Sequence, residues 1–128
     1  MRPSSWFTLG SILAGVAVIL GAFGAHFLKG KLDPAALATF ETGVRYQLFH
    51  SLALLATGFA ATRWPGRWIH AAGWLFLAGI LLFSGSLYGL TLAGLLWLGP
   101  VTPLGGLAMI TGWFCLAAAG LRVPQDDR

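Results

Sequence analysis

The chain has 128 residues, of which 57% are hydrophobic and only 9% are charged, and its formal net charge is +4. A soluble domain carries about 25% charged residues, so this composition has too few charges to keep its apolar surface in water and excludes an ordinary soluble protein. The basic residues are scattered along the chain and do not form one stripe, which argues against a nucleic-acid partner.

Four apolar segments approach the roughly 20 residues that a helix needs to cross a bilayer. They cover residues 6–28, 41–62, 68–92 and 103–121. Only helices or closed barrels satisfy the backbone in lipid, and these segments lack the alternating polar and apolar pattern of barrel strands. The sequence therefore predicts an all-α, integral membrane bundle of four transmembrane helices, in a single domain that covers residues 1–128.

The first segment carries small residues at alternating spacings of three and four, a pattern that lets another helix approach closely in a membrane. These residues are Gly10, Ala14, Ala17, Gly21 and Gly24. We expect them to serve helix packing, and we consider self-association or docking to a larger membrane complex as a further use. Met1-Arg2 before an apolar run also suits a signal peptide, but the segment exceeds the usual 7–15 residues of a signal core, so we expect a retained helix.

An outer loop and the interfacial start of the second helix are predicted over residues 29–40. Asp33 is a good N-cap and Pro34 suits the first helical position, so the helix should begin there. Charged residues then form a rim at the membrane surface, where the cations favour anionic lipid headgroups. The rim consists of Lys29, Lys31, Glu41 and Arg45.

Polar side chains recur in or beside the apolar segments, where they are costly unless they face partners inside the bundle. Gly43, Gln47 and His50 fall on one stripe of the second helix. We expect the outer halves of the first three helices to bring the polar residues together, either to stabilise the bundle or to receive a lipid headgroup or small ligand. The candidate polar cluster consists of His26, Tyr46, Gln47, His50, Ser84, Ser86 and Tyr88.

The end of the chain supplies the fourth helix. The charge-free stretch "TLAGLLWLGP" either prolongs the third helix or lies along the membrane interface. Thr102 is the expected N-cap of the fourth helix, with Pro103 at its first position. The indole N–H of Trp113 should find a buried acceptor, and the lone Cys115 is expected to be inert packing. A polar cytoplasmic tail is predicted over residues 122–128.

Catalytic and metal sites are not expected. His26 and His50 are predicted at different depths, which argues against shared haem ligation, and a divalent metal usually needs three or four ligands. The stretch "GSLYG" lacks the spacing of a hydrolase nucleophile elbow. We therefore expect no catalytic residue, no metal and no cofactor. A small oligomeric channel or carrier for a solute or proton stays open as the alternative function, although a proton relay is weakened by the lack of acids deep in the segments.

Positive residues are distributed unequally between the two sides of the predicted topology. One side carries Arg2, Arg63, Arg67, Arg122 and Arg128, and the other carries Lys29, Lys31 and Arg45. Because cytoplasmic loops carry the excess of positive charge, both termini are expected in the cytoplasm.

Four motifs occur in order along the chain: "GAFGAH", "TGVRYQLFHSLALL", "SGSLYGL" and "TPLGGLAMITGW". Together, from about Leu9 to Gly120, they resemble the bacterial domain-of-unknown-function family four-two-three, whose members are small inner-membrane proteins with a relative in eukaryotes. The polar residues of the first two motifs keep the positions of the family pattern. The resemblance implies a helical bundle in the bacterial inner (plasma) membrane, and it implies no particular activity. From the residues themselves we expect membrane lipids, and a homo-oligomer or larger membrane complex, as partners.

Overall fold

The computed structural model describes residues 1–123, which fold into long helices joined by short turns. The α-helices are α1 (Pro3–Phe23), α2 (Pro34–Arg63), α3 (Arg67–Gly79), α4 (Gly85–Ala93) and α5 (Val101–Gly120). A π-helical turn, Gly24–Leu28, prolongs α1; another, Ile80–Ser84, joins α3 to α4; and a 3₁₀ turn, Leu96–Leu98, precedes α5. The predicted polar tail lies outside the described residues from position 124 onward.

Length and composition make most of the bundle suitable for a membrane. Within residues 1–123, three helical segments are long and apolar enough to cross one: Pro3–Leu28, Arg67–Ala93 and Leu96–Gly120. Large apolar side chains on the outside of the bundle, such as Ile19 at 68% exposure and Phe114 at 71%, suit contact with lipid. The prediction of an all-α membrane bundle is therefore confirmed.

The helix α2 differs from the others, because it is long but less apolar. Its 30 residues would extend about 45 Å at the usual rise of an α-helix. Its buried residues include several polar ones, Gln47, His50, Ser51 and Thr57. These side chains lower the hydropathy of α2 while facing protein, as expected for an inner helix of a bundle. A crossing by α2, and with it the number of four spans, stays a prediction.

The predicted start is correct for α2 and wrong for α5. The Asp33 carboxylate accepts a hydrogen bond of 2.8 Å from the backbone N–H of Ala36, and Pro34 is the first helical residue, which confirms the predicted start of α2. The predicted cap at Thr102 is wrong, because α5 already begins at Val101 and has no side-chain cap. The left-handed Gly94, with φ of 66°, ends α4 and prevents "TLAGLLWLGP" from continuing as one helix.

Very close backbone contact holds α1 against α2. A Cβ atom added to Gly10 would lie 2.7 Å from the carbonyl oxygen of Ser51, and one added to Gly58 would lie 2.8 Å from the backbone nitrogen of Phe7. Of the small residues of α1, Gly10, Ala17 and Gly24 are buried, while Ala14 and Gly21 are half-buried. These small residues face α2 of the same chain. Self-association and docking to a larger membrane complex stay predictions.

The other half of the bundle is formed mainly by α3 and α5. A core of apolar side chains lies here, including the fully buried Trp6 and Phe76 together with Met109 and Cys115. Trp6 reaches across from α1 and fills the space beside Gly73 of α3, where an added Cβ would lie 2.7 Å from the indole ring. The helix α1 thus contacts α3 through the large side chain of Trp6 and contacts α2 through small residues.

Candidate functional site

The amide of Gln47 joins three helices in the middle of the bundle. Gln47 is only 3% exposed. Its Nε2 donates to the backbone carbonyl of Leu13 on α1 at 2.9 Å, and its Oε1 accepts from the hydroxyl of Tyr88 on α4 at 2.7 Å. Because an amide both donates and accepts, it can bond one neighbour on each side of α2.

Serine hydroxyls make further bonds between helices. Ser84, the last residue of the second π-helical turn, donates to the carbonyl oxygen of Gly43 on α2 at 2.6 Å. The hydroxyls of Ser86 and Thr102 lie 2.6 Å apart and link α4 to α5. Gly43 also leaves room for the Tyr88 ring, since an added Cβ would lie 2.9 Å from that ring. These residues, together with Gln47 and the carbonyl of Leu13, form what we call the polar network.

His50 lies next to the polar network and bonds to α5. The indole Nε1 of Trp113 donates to Nε2 of His50 at 3.1 Å, and Nδ1 of His50 lies 2.7 Å from the carbonyl oxygen of Tyr46. An indole N–H can only donate, so Nε2 must be the unprotonated nitrogen and Nδ1 must carry the proton. Both ring nitrogens are therefore engaged by protein groups in the neutral form. The expectation that the Trp113 N–H finds a buried acceptor is confirmed.

A similar pair lies elsewhere in the bundle. Nε1 of Trp6 on α1 donates to Nδ1 of His70 on α3 at 3.0 Å. His70 lies in the first turn of α3. A tryptophan N–H that needs a buried acceptor was the available signal, but its combination with this histidine depends on the packing of α1 against α3.

Not every residue of the candidate cluster joins these bonds. His26 is exposed on the π-helical turn and makes no hydrogen bond with the network, so its expected place in the cluster is corrected. Gly24 and Leu28 are the buried residues of that turn. His26 follows Gly24 by two positions, and residues two apart on a helix point to nearly opposite sides.

Tyr46 contributes its ring more than its hydroxyl. It is 40% exposed, and its ring centroid lies 4.8 Å from that of Phe83 and 6.1 Å from that of His50. It directly precedes Gln47 on a helix, so its side chain is turned about 100° away from the network. Tyr46 thus borders the site without bonding to its polar atoms.

The predicted rim lies apart from the polar network. Lys29, Lys31, Glu41 and Arg45 are exposed. The ammonium of Lys31 lies 3.5 Å from the centroid of the Phe27 ring. This end of the bundle presents its charges outward, and they do not contribute to the buried bonds.

An apolar groove opens beside His50 on the outer face of the bundle. Its volume is about 370 Å³, and its walls are Tyr46, His50, Phe83, Gly106, Met109, Ile110 and Trp113. Neither Gln47 nor Tyr88 lines it. The groove offers an apolar surface with both nitrogens of His50 already bonded, so it suits a hydrocarbon group better than a polar substrate.

Hydrogen bonding inside the bundle is complete. In the part of the chain that the structure describes, no buried side-chain nitrogen or oxygen lacks a partner. The same residues contain no group of three or more histidine, cysteine, aspartate or glutamate side chains that could hold a metal ion. The arrangement ties helices together through bonds that engage the polar atoms of Gln47 and His50.

Comparisons with known proteins agree with this fold. A family described as "Protein of unknown function (DUF423)" matches residues 20–106. The chain is 46% identical over 115 residues to the UPF0382 membrane protein YwdK of Bacillus subtilis, covering 89% of this chain and 94% of YwdK. It is 37% identical over 110 residues to the UPF0382 inner membrane protein YgdD of Escherichia coli, covering 86% of this chain and 84% of YgdD. No solved structure matches. The chain therefore belongs to the DUF423 family of small helical membrane proteins.

Proposed function

We propose that the protein is a non-enzymatic, multi-pass protein of the inner membrane, in which the polar network and the His50–Trp113 bond hold four transmembrane helices in one arrangement. The observation that carries this proposal is the completeness of the buried hydrogen bonds within residues 1–123. Apolar packing gains little in lipid, because the surroundings are as apolar as the helices, so hydrogen bonds and close contacts determine which helices associate.

Conduction or transport is the alternative function, and the same bonds disfavour it within a single copy. A group that passes a solute or proton must exchange one partner for another. Both amide atoms of Gln47 and both ring nitrogens of His50 are bonded to the protein. A conducting form would have to break these bonds, or a second copy would have to close the groove beside His50.

The proposed orientation places both termini in the cytoplasm. The arginines that end α2, begin α3 and follow α5 lie at one end of the bundle, and Lys29 and Lys31 lie at the other. The excess of positive charge supports a cytoplasmic position for the arginine end. The name of YgdD, an inner membrane protein, supports the membrane assignment.

Two measurements on the same samples test the proposal. Purified protein is reconstituted in liposomes, and proton uptake driven by a potassium potential and swelling in small neutral solutes are followed. We expect the wild type to match protein-free liposomes in both assays, and Gln47→Leu to lower the stability of the bundle. Flux through the wild type that Gln47→Leu or His50→Phe abolishes without unfolding the protein would replace this proposal with the channel.

A further inference from the structure

Arginines surround a groove at the end of the bundle that is opposite to Asp33. Arg63 ends α2, Arg67 begins α3 and Arg122 follows α5. The guanidinium of Arg122 lies 4.8 Å from the centroid of the Trp68 ring, and that of Arg67 lies 5.4 Å from it. The Trp68 ring thus lies near two cationic groups, one from the start of α3 and one from the turn after α5.

The groove between these residues has a volume of about 410 Å³ and is lined by Arg63, Trp64, Trp68 and Arg122 among others. It adjoins a second groove of about 290 Å³, with which it shares the walls Trp64, Ile69 and Ala119. The second groove runs between α2 and α5 and has apolar walls from Ala56 to Ala60 and from Leu116 to Gly120. One continuous depression therefore changes from cationic to apolar along the bundle.

The length of this change suits the headgroup and the first part of an acyl chain of a phospholipid. Ala56 lies about two helical turns, or about 11 Å, from Arg63. Arginine is well suited to phosphate, because its planar guanidinium can donate two parallel hydrogen bonds. Tryptophans such as Trp64 are typical of the depth at which headgroups meet acyl chains.

Charge complementarity specifies the kind of headgroup. In the described residues the acids are Asp33 and Glu41, which belong to the start of α2 and lie at the other end of the molecule. Counting the whole sequence, five arginines and two aspartates are assigned to this side. We propose that this depression, the arginine groove, binds one anionic phospholipid, with the phosphate between Arg63 and Arg122 and an acyl chain between α2 and α5.

Because the arginine groove has a cationic part and an apolar part, two binding preferences are expected. An anionic phospholipid should bind more tightly than a zwitterionic one with the same chains, because each arginine near the membrane surface favours an anionic lipid about fivefold. A phospholipid should also bind more tightly than its headgroup alone, because the apolar part of the groove takes a chain. Neither preference depends on the role of the polar network, so this site and the proposed function can fail separately.

Native mass spectrometry of the full-length protein, released from detergent and titrated with lipid, measures both preferences. The probes are dioleoyl phosphatidylglycerol, dioleoyl phosphatidylcholine and glycerol phosphate. We expect phosphatidylglycerol to bind at least tenfold more tightly than phosphatidylcholine, and glycerol phosphate to show no retained complex. Equal affinity for the two lipids, or retention of glycerol phosphate as tightly as phosphatidylglycerol, would overturn the proposal without any variant.

Paired variants locate the site. Arg63→Gln with Arg122→Gln should weaken phosphatidylglycerol at least tenfold and phosphatidylcholine by a clearly smaller factor, because phosphatidylcholine has the same phosphate but no net negative charge. Lys29→Gln with Lys31→Gln removes the same charge from the opposite end and should change neither by more than twofold. An equal loss in both pairs would show a general charge effect and would contradict a site between Arg63 and Arg122.

A second pair tests the apolar part. Gly120→Leu places a side chain in the apolar part of the arginine groove, between α2 and α5, where an added Cβ meets no atom within 4 Å. It should weaken the binding of both lipids at least fivefold. Gly15→Leu adds the same side chain at an exposed position of α1 that is equally open, and should have no effect. If Gly120→Leu binds both lipids as the wild type does, the chain does not lie between α2 and α5.

Discussion

The two faces of α2 are held to their neighbours by different means. Toward α1, glycines at positions 10 and 58 bring the two backbones into direct contact. Toward α4 and α5, α2 uses hydrogen bonds: the Gly43 carbonyl accepts from Ser84, the Gln47 amide from Tyr88, and the His50 ring from Trp113. The first face depends mainly on the absence of side chains, with one added bond from Gln47 to the Leu13 carbonyl, and the second depends on particular polar atoms.

This difference shows two ways to join helices where lipid removes the hydrophobic driving force between them. Close contact gains dispersion over many atoms and has no room for added volume. A hydrogen-bonded face tolerates a change of volume better than it tolerates the loss of a partner, because the atom left behind is buried without a bond. Variants that add volume should therefore act mainly on the contact with α1, and variants that remove a partner should act wherever the lost bond was made.

The largest effect is expected from Gly10→Ala. The new Cβ would lie 2.7 Å from the Ser51 carbonyl oxygen and 2.9 Å from the Leu55 nitrogen, both backbone atoms of α2 that cannot move independently. Overpacking of this kind should lower the free energy of unfolding by about 2 kcal/mol, measured by denaturation with sodium dodecyl sulfate in mixed micelles. Gly15→Ala on the same helix meets no atom within 4 Å and is the control. Equal stability of the two variants would contradict direct backbone contact between α1 and α2.

Gln47→Leu, which removes bonds to both α1 and α4, should have a smaller effect. The apolar side chain leaves the Tyr88 hydroxyl and the Leu13 carbonyl without their partner, at a cost of about 1 kcal/mol in the same assay. Thr111→Val removes a hydroxyl that is exposed and bonded only to the Leu107 carbonyl of its own helix, so it should change stability little. If Gln47→Leu is as stable as Thr111→Val, the network does not hold these helices.

Trp113→Phe should have the smallest effect of the three. It removes the indole N–H that donates a hydrogen bond to His50 and keeps an aromatic ring beside Phe76. We therefore expect the free energy of unfolding to fall by about 0.6 kcal/mol. Trp97→Phe is the matched control, because Trp97 lies on the 3₁₀ turn and is 68% exposed. A loss at Trp113 no greater than that at Trp97 would show that the bond to His50 contributes nothing measurable.

Local sequence signals predicted those features that one helix determines alone. The start of α2 follows from Asp33 and Pro34, whose capping and backbone preferences act within one turn. The burial of Gly43, Gln47 and His50 on one side of α2 follows from helical periodicity, because the helix is regular there. Such features need no knowledge of the neighbouring helices.

Features that depend on two helices were not predictable in the same way. The polarity of His26 predicted that its side chain would be buried. The direction of that side chain depends on how the turn Gly24–Leu28 packs, and in this turn Gly24 and Leu28 are the residues that face inward. Thr102 had the pattern of a cap, yet α5 begins at Val101, two residues before the predicted first position, and the Thr102 hydroxyl meets that of Ser86. Nothing in the sequence near Trp113 specifies His50 as its acceptor, since 63 positions separate them.

The small residues of α1 also show that a pattern on one helix does not identify its neighbour. Their spacing predicted a close helix contact, and the contact exists, but the spacing does not say whether the other helix belongs to the same chain. The answer lies in α2, where Gly58 provides a complementary small surface for Phe7 and Pro3. A small residue on each of two helices was the signal that would have identified the pair.

A double-mutant cycle on Gln47 and Tyr88 tests most directly whether polar bonds join the helices of this bundle. Unfolding free energies are measured for the wild type, Gln47→Leu, Tyr88→Phe and the double variant. We predict a coupling of at least about 0.5 kcal/mol, because each single variant removes the same 2.7 Å bond between the two side chains. Single losses that add in the double variant to within about 0.3 kcal/mol would contradict the account.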